Sequence, residues 1–148
     1  MLRAIIHWTW CLPQALLGRF LVWKYRNAII ESRPYGRCAL HVLDEIAGFG
    51  GLSIGQHLFV KKRPIMEITA KHEYGHYLQS LRLGPLFLLI IGTWSITLNL
   101  LARRSDRVFR KYNTYFPERW AERLGQVTAE ERAKANAWKE KHILAKRH

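Results

Sequence analysis

Cysteine is scarce in this chain. Cys11 and Cys38 are the only two in 148 residues and lie far apart in sequence, so neither a disulfide framework nor a cysteine-based zinc site is indicated, and a reducing compartment fits. Acidic residues are also few: 11 Asp and Glu stand against 24 Lys and Arg, a formal net charge of +13. So large an excess calls for an anionic partner, whether lipid headgroups, nucleic acid or an acidic protein. The chain also lacks internal repeats, a DNA-binding motif and an aromatic strand of the RNA-binding kind, which argues against nucleic acid as that partner.

What the chain does have is apolar and aromatic. Hydrophobic residues make up 49%, with six each of Trp, Tyr and Phe, enough for one domain with a core and for apolar surface at a membrane interface. Basic residues sit beside the apolar runs, at Arg19, Lys24 and Arg26 and again at Arg103, Arg104, Arg107, Arg110 and Lys111, as in membrane-surface proteins. Residues 4–23, behind a positive Arg3, read as an apolar, Trp-rich helix or helical hairpin that Ala28 to Glu31 would prolong. Pro13 and Gln14 interrupt it and no cleavage site follows, so residues 1–31 are expected to form an uncleaved, membrane-associated helical segment on the cytoplasmic side.

Further along, Ser32 to Gly36 is expected to break structure, Cys38 to Ile46 has no clear period, and Gly48, Gly50 and Gly51 mark a loop. Leu52 to Val60 reads as one strand, with Leu52, Ile54, Gln56, Leu58 and Val60 on one face. Pro64 fits the first position of a helix that Gly84 and Pro85 end. Residues 84–102 form a run of nineteen without a charge, long enough to suggest a membrane span. Pro117 can open a helix reaching Gly125. Thr128 and Glu131 form a capping box for a charged terminal helix over 127–148, expected as a solvated or headgroup-facing arm.

The chemistry sits in His72-Glu73-Tyr74-Gly75-His76. On a helix, positions i and i+4 share a face one turn apart, so two imidazoles can hold one metal ion. Zinc accepts imidazole nitrogen and carboxylate oxygen, and a catalytic zinc keeps one position for water, so a third protein ligand is needed. Glu73 would take a proton from that water and return it to a leaving amine. Acids after the motif are few: Asp106, Glu118, Glu122 and those of the terminal helix. Glu118 and Glu122 are four apart, so the first can bind metal while the second accepts the free ring N–H of a ligating histidine. Without the histidines the two acids would read as an ordinary exposed pair. His41, His57 and His142 read as surface or core histidines.

His72-Glu73-Tyr74-Gly75-His76 followed by Glu118-Arg119-Trp120-Ala121-Glu122-Arg123-Leu124-Gly125 resembles the gluzincin metallopeptidases of the HtpX and CAAX prenyl protease type, which carry HExxH and a later ExxxD. Glu118 matches the ligand glutamate, while Glu122 stands where that family has aspartate. The stretch 51–126 is also similar to a group of small bacterial HEYGH proteins and toxin-tail domains. The resemblance implies an α+β, mostly helical, minimal zincin-like domain over 32–126, with a short sheet edge beside the apolar N-terminal helix. It implies zinc-dependent hydrolysis of a peptide or protein substrate. It also makes the Leu52, Ile54, Gln56, Leu58 strand the edge that pairs with substrate backbone, and Tyr112 and Tyr115 candidate donors to the oxyanion.

If residues 84–102 crossed a bilayer once, the histidines and Glu118 would end about 30 Å apart, on opposite sides. The segment is therefore expected to be re-entrant, interfacial or buried, bending at Gly92. Two other classes compete with a peptidase: a catalytically inactive metal-binding interaction module, such as an effector or toxin-related domain, and a basic nucleic-acid binder.

Overall fold

A computed structural model describes residues 10–44 and 50–146. Residues 4–9 of the expected N-terminal helix, Ile46 and Gly48, and the last two residues of the chain lie outside the described residues. In order, the elements are α1 (Leu12–Tyr25), β1 (Ile29–Tyr35), β2 (Cys38–Leu43), β3 (Gly51–Ile54), β4 (His57–Lys61) and α2 (Met66–Leu83). A π-helical stretch (Leu88–Gly92) then runs into α3 (Thr93–Arg104), followed by α4 (Asp106–Lys111), α5 (Glu118–Leu124) and α6 (Ala129–His142). The domain is a mixed α+β fold, mostly helical.

The four strands form one sheet in the order β1-β2-β4-β3, with β2 and β4 parallel and the outer pairs antiparallel. Strand alternation divides its residues between two helices. Cys38, Leu40, Val42, Leu58 and Val60 pack against Ala70 and Tyr77 of α2. Leu43 and Phe59 face Leu21, Val22 and Tyr25 of α1. Leu40, Leu58 and Val60 are wholly excluded from solvent, each contributing about 1.5–3 kcal/mol by burial. The sheet is thus a slab with α1 on one side and the metal-motif helix on the other.

Leu52 to Val60 is two strands rather than one, because Gly55, at φ +59°, turns the chain back on itself and puts Gln56 in the turn. A side chain at Gly55 would also meet the carbonyl oxygen of Gln14 at 2.8 Å, where α1 crosses the turn. Ser32 to Gly36 does not break structure, and Ala28 to Glu31 does not prolong the helix: Ile29 enters β1, which tolerates Pro34 because an edge strand can spare a donor. The turn comes after Tyr35, at Gly36 with φ +58°. The expected stops after α2 and α5 are met at Gly84 and Gly125, and the Thr128–Glu131 capping box is present. Helix α2 begins at Met66, two residues after Pro64.

Residues 84–102 do not bend at Gly92, which is helical at φ −59° and ψ −50°. The sharp turn is at Gly84, at φ +55°, after which π-helical and α-helical turns run on continuously. The hydroxyl of Thr93 donates back to the carbonyls of Leu88 and Leu89 across the widened turn. Phe87, Ile91, Leu98 and Ala102 are buried on one face, while Leu89, Trp94, Ile96 and Leu100 of the other are exposed. Among the described residues no helix is long and apolar enough to cross a membrane. The terminal helix is not a free arm either: Ala135 is buried with Ile65 and Ile68, and Val127 and Trp138 pack around them.

Candidate metal centre

The site is assembled where α2 meets α5. Gly75, between the two histidines of the motif, is where the backbones touch: a Cβ there would lie 1.9 Å from the carbonyl oxygen of Ala121. A Cβ at Gly125 would lie 2.0 Å from the carbonyl oxygen of Lys71. Two glycines, one on each helix, thus permit a close crossing, and Ala121, with no exposure, fills the contact. The crossing delivers Glu118, 1% exposed, from the first turn of α5 onto the histidine face of α2.

Nε2 of His72 lies 3.0 Å and Nε2 of His76 3.3 Å from the same oxygen, Oε2 of Glu118. Ligand atoms of all three residues fall within 4.8 Å of one another, and the group could hold a metal ion. The surrounding hydrogen bonds show how well it suits one. Nε2 of Gln79 donates to the carbonyl of Pro117 at 2.9 Å, which turns Oε1 of Gln79 toward Nδ1 of His76, 2.7 Å away. Since that oxygen only accepts, Nδ1 of His76 carries the proton and donates, and Nε2 is the ring's remaining site. Nε2 therefore meets a buried carboxylate oxygen either with a second proton or with a lone pair, and a lone pair there needs a cation between the two. Ser95 donates to the other carboxylate oxygen, Oε1 of Glu118, so Oε2 is left for the imidazoles.

The protonation pattern follows from burial and these contacts. Burial alone would raise Glu118, but hydrogen bonds to His72 and His76 overcome it and hold the carboxyl far below its ordinary range. Burial opposes charging of His76, yet Glu118, Glu73 and Gln79 together raise it to about 9. For His72 burial wins and lowers it to about 4, only partly offset by Glu118. Charge in the group thus favours His76 over His72 as the imidazolium that faces the Glu118 carboxylate.

Glu73 is buried but lines the cleft, and among the described residues no hydrogen bond holds its carboxylate. Burial raises it to about 7, partly offset by His76, near the value at which a general base works best at neutral pH. It presses on the start of β3: a Cβ at Gly51 would lie 2.5 Å from Oε1 of Glu73. Glu122 lies 3.8 Å from Nδ1 of His72, a nitrogen with no hydrogen-bond partner, and is ion-paired with Arg132 of α6. Tyr112 is half-buried on the cleft wall, its phenol pushed up by burial and by Glu118 beside it. Tyr115 is not on that wall.

The cleft holds about 1140 Å³, with His72, Glu73, His76 and Glu118 on its lining. Gly51, Leu52, Ser53 and Ile54 of the sheet's edge strand border it, whereas Gln56 and Leu58 do not. Sequence reasoning did not find Gln79 or Ser95. Each carried a signal: Gln79 is three residues after His76, and Ser95 is the polar position on the inner face that Phe87, Ile91, Leu98 and Ala102 share. No protein-family model, curated protein or solved structure matches the chain.

Proposed function

We propose that this protein is a zinc-dependent peptidase of the HExxH type that works at a membrane surface, with His72, His76 and Glu118 as the ligands and Glu73 as general base. The observation that carries the proposal is the convergence of three ligand atoms, from half-buried His72 and buried His76 and Glu118, within 4.8 Å of one another, with a carboxylate beside them that burial keeps near neutral pKa. A zinc ion bound there supplies Lewis acidity, which makes water nucleophilic near neutral pH and polarises a peptide carbonyl. Glu73 removes the proton from the attacking water and returns it to the leaving nitrogen. Gln79 fixes the tautomer of His76, Ser95 orients Glu118, and Glu122 stands 3.8 Å from Nδ1 of His72. Backbone groups of Gly51 to Ile54 offer an extended peptide an edge to pair with.

Support for the membrane surface comes from exposed apolar side chains on two helices that meet near Gly84. Trp10 and α1 contribute Leu16, Phe20 and Trp23 among others, and the π-helical stretch and α3 contribute Leu89, Trp94 and Leu100. Gln14 reaches the carbonyl of Gly84, and a Cβ at Gly84 would lie 2.1 Å from the Trp10 indole, so the two faces adjoin. Leu17 and Ile96 lie on both an exposed face and the cleft lining, which sets the cleft beside the apolar surface. Adjoining exposed apolar faces suit an interaction surface, and basic flanks suit anionic headgroups.

Wild type and Glu73→Gln, both zinc-loaded, incubated with a random peptide library test the proposal. Cleavage by wild type and a loss of about a hundredfold or more in the variant at equal zinc content is expected. Zinc bound by both with cleavage by neither would leave a metal-binding interaction module in place of a peptidase.

A further inference from the structure

The inner face of α6 carries more positive charge than the metal centre uses. Arg132, Ala135, Lys139 and Ile143 recur at helical spacing, and all four line the cleft. Most cations on that wall are engaged. Arg132 is neutralised by Glu122. The guanidinium of Arg63 lies 5.2 Å from the centre of the Trp138 ring. His142 stacks on the same indole at 4.8 Å and donates from Nδ1 to the carbonyl of Trp138 at 2.9 Å.

Lys139 differs from these. It is half-buried, and among the described residues no carboxylate or carbonyl takes a hydrogen bond or ion pair from its ammonium. Burial and the Arg132 charge lower its pKa to about 8, while Glu122, Glu118 and Glu73 attract it from a distance. A cation kept partly out of water without a counter-ion is costly. A metal ion on Glu118 makes the position costlier, because it cancels negative charge that attracts the ammonium. An anion arriving with the ligand removes that cost.

We infer that Lys139 anchors a carboxylate carried by the bound peptide, either its C-terminal carboxylate or an acidic side chain near the reacting bond; this deepens the peptidase reading and rests on the same cleft. Ile65, Ile68 and Ala135, which pack together, line the same cleft and supply apolar surface to such a ligand.

The test is retention of random hexapeptides on the zinc-loaded Glu73→Gln protein, read by mass spectrometry, with three libraries. One is amidated and free of Asp and Glu, one has free C-termini and no Asp or Glu, and one is amidated but contains Asp and Glu. Retention of the second or third about tenfold above the first is expected, and which of them is favoured identifies the source of the carboxylate. In the Glu73→Gln background, Lys139→Gln should abolish the preference and Lys139→Arg should keep it, all at equal zinc content. Equal retention of the three libraries, retention of none, or a preference that survives Lys139→Gln would overturn the inference. Wild-type cleavage of the amidated, acid-free library separates the two proposals. Cleavage without a carboxylate preference removes the anchor and leaves the peptidase, whereas carboxylate-dependent retention without cleavage of any library removes the peptidase and leaves the anchor.

Discussion

Among the described residues two pairs of histidines are in contact, and they are built on opposite plans. His41 and His57 stack at 5.3 Å with planes 25° apart, and Nε2 of one lies 3.0 Å from Nδ1 of the other. The remaining ring nitrogen of His41 meets the hydroxyl of Ser32 at 2.8 Å. That ladder satisfies itself: each lone pair finds a proton on its neighbour, and Phe59 stacks on His41 at 5.1 Å. His72 and His76 stand edge to face, 87° apart at 4.8 Å, and do not serve one another. Both turn Nε2 to one carboxylate oxygen. Proximity of imidazoles therefore says little about metal; two imidazole nitrogens turned to one carboxylate oxygen make a group that could hold an ion.

The largest expected effect comes from treating the two pairs alike. Replacing His72 and His76 together by Gln should weaken zinc binding by about a thousandfold or more, since two of three protein ligands are lost. The same change at His41 and His57 should leave zinc affinity within about twofold, because distant sites act independently. Competition against a chromophoric chelator measures both.

Next in size is Gly75→Ala. The added methyl meets the Ala121 carbonyl, so the crossing of α2 and α5 must open, at a cost of about 2–3 kcal/mol by chemical denaturation, and zinc affinity should fall with it as Glu118 is carried away. Gly50→Ala, where a Cβ has nothing within 4 Å, should change neither.

Gln79→Leu should weaken zinc binding about tenfold to a hundredfold by releasing the ring of His76, whereas Ser32→Ala beside His41 should have no effect on metal. The smallest effect is on acid stability. Burial lowers the pKa of His41 below its ordinary 6.5, so the folded protein binds this proton less readily than the unfolded chain. Its stabilising contribution is complete above pH 6.5 and is lost as pH falls through the folded pKa. Thermal melting should show part of the acid destabilisation disappearing in His41→Gln.

The candidate metal cluster was legible because half of it is local: HEYGH needs only a helix to place its imidazoles on one face, and among the few later acids the spacing to Glu122 and the resemblance to HExxH/ExxxD proteins pointed to Glu118, which lies against both histidines. The site's supports were not, because they depend on which surfaces meet. Gly75 is an unremarkable helix glycine until α5 arrives, and Ser95 belongs to a run whose composition suggested a membrane. The sheet was misjudged where turn residues fell inside plausible patterns: Gly55 sits within an alternating stretch and Pro34 within what becomes an edge strand. The terminal helix reads as an arm because its composition is charged; the few residues that dock it, Ala135 and Trp138 foremost, weigh little in an average over the helix, yet they bring Arg132 to Glu122 and Lys139 to the cleft.

The most direct measurement is zinc content after equilibrium dialysis of wild type and Glu118→Gln, with far-ultraviolet circular dichroism to show that both are folded. One zinc per chain in wild type, lost in the folded variant, is the predicted result. Equal zinc in the two proteins, or none in either, would contradict a centre built by Glu118 from across the helix crossing.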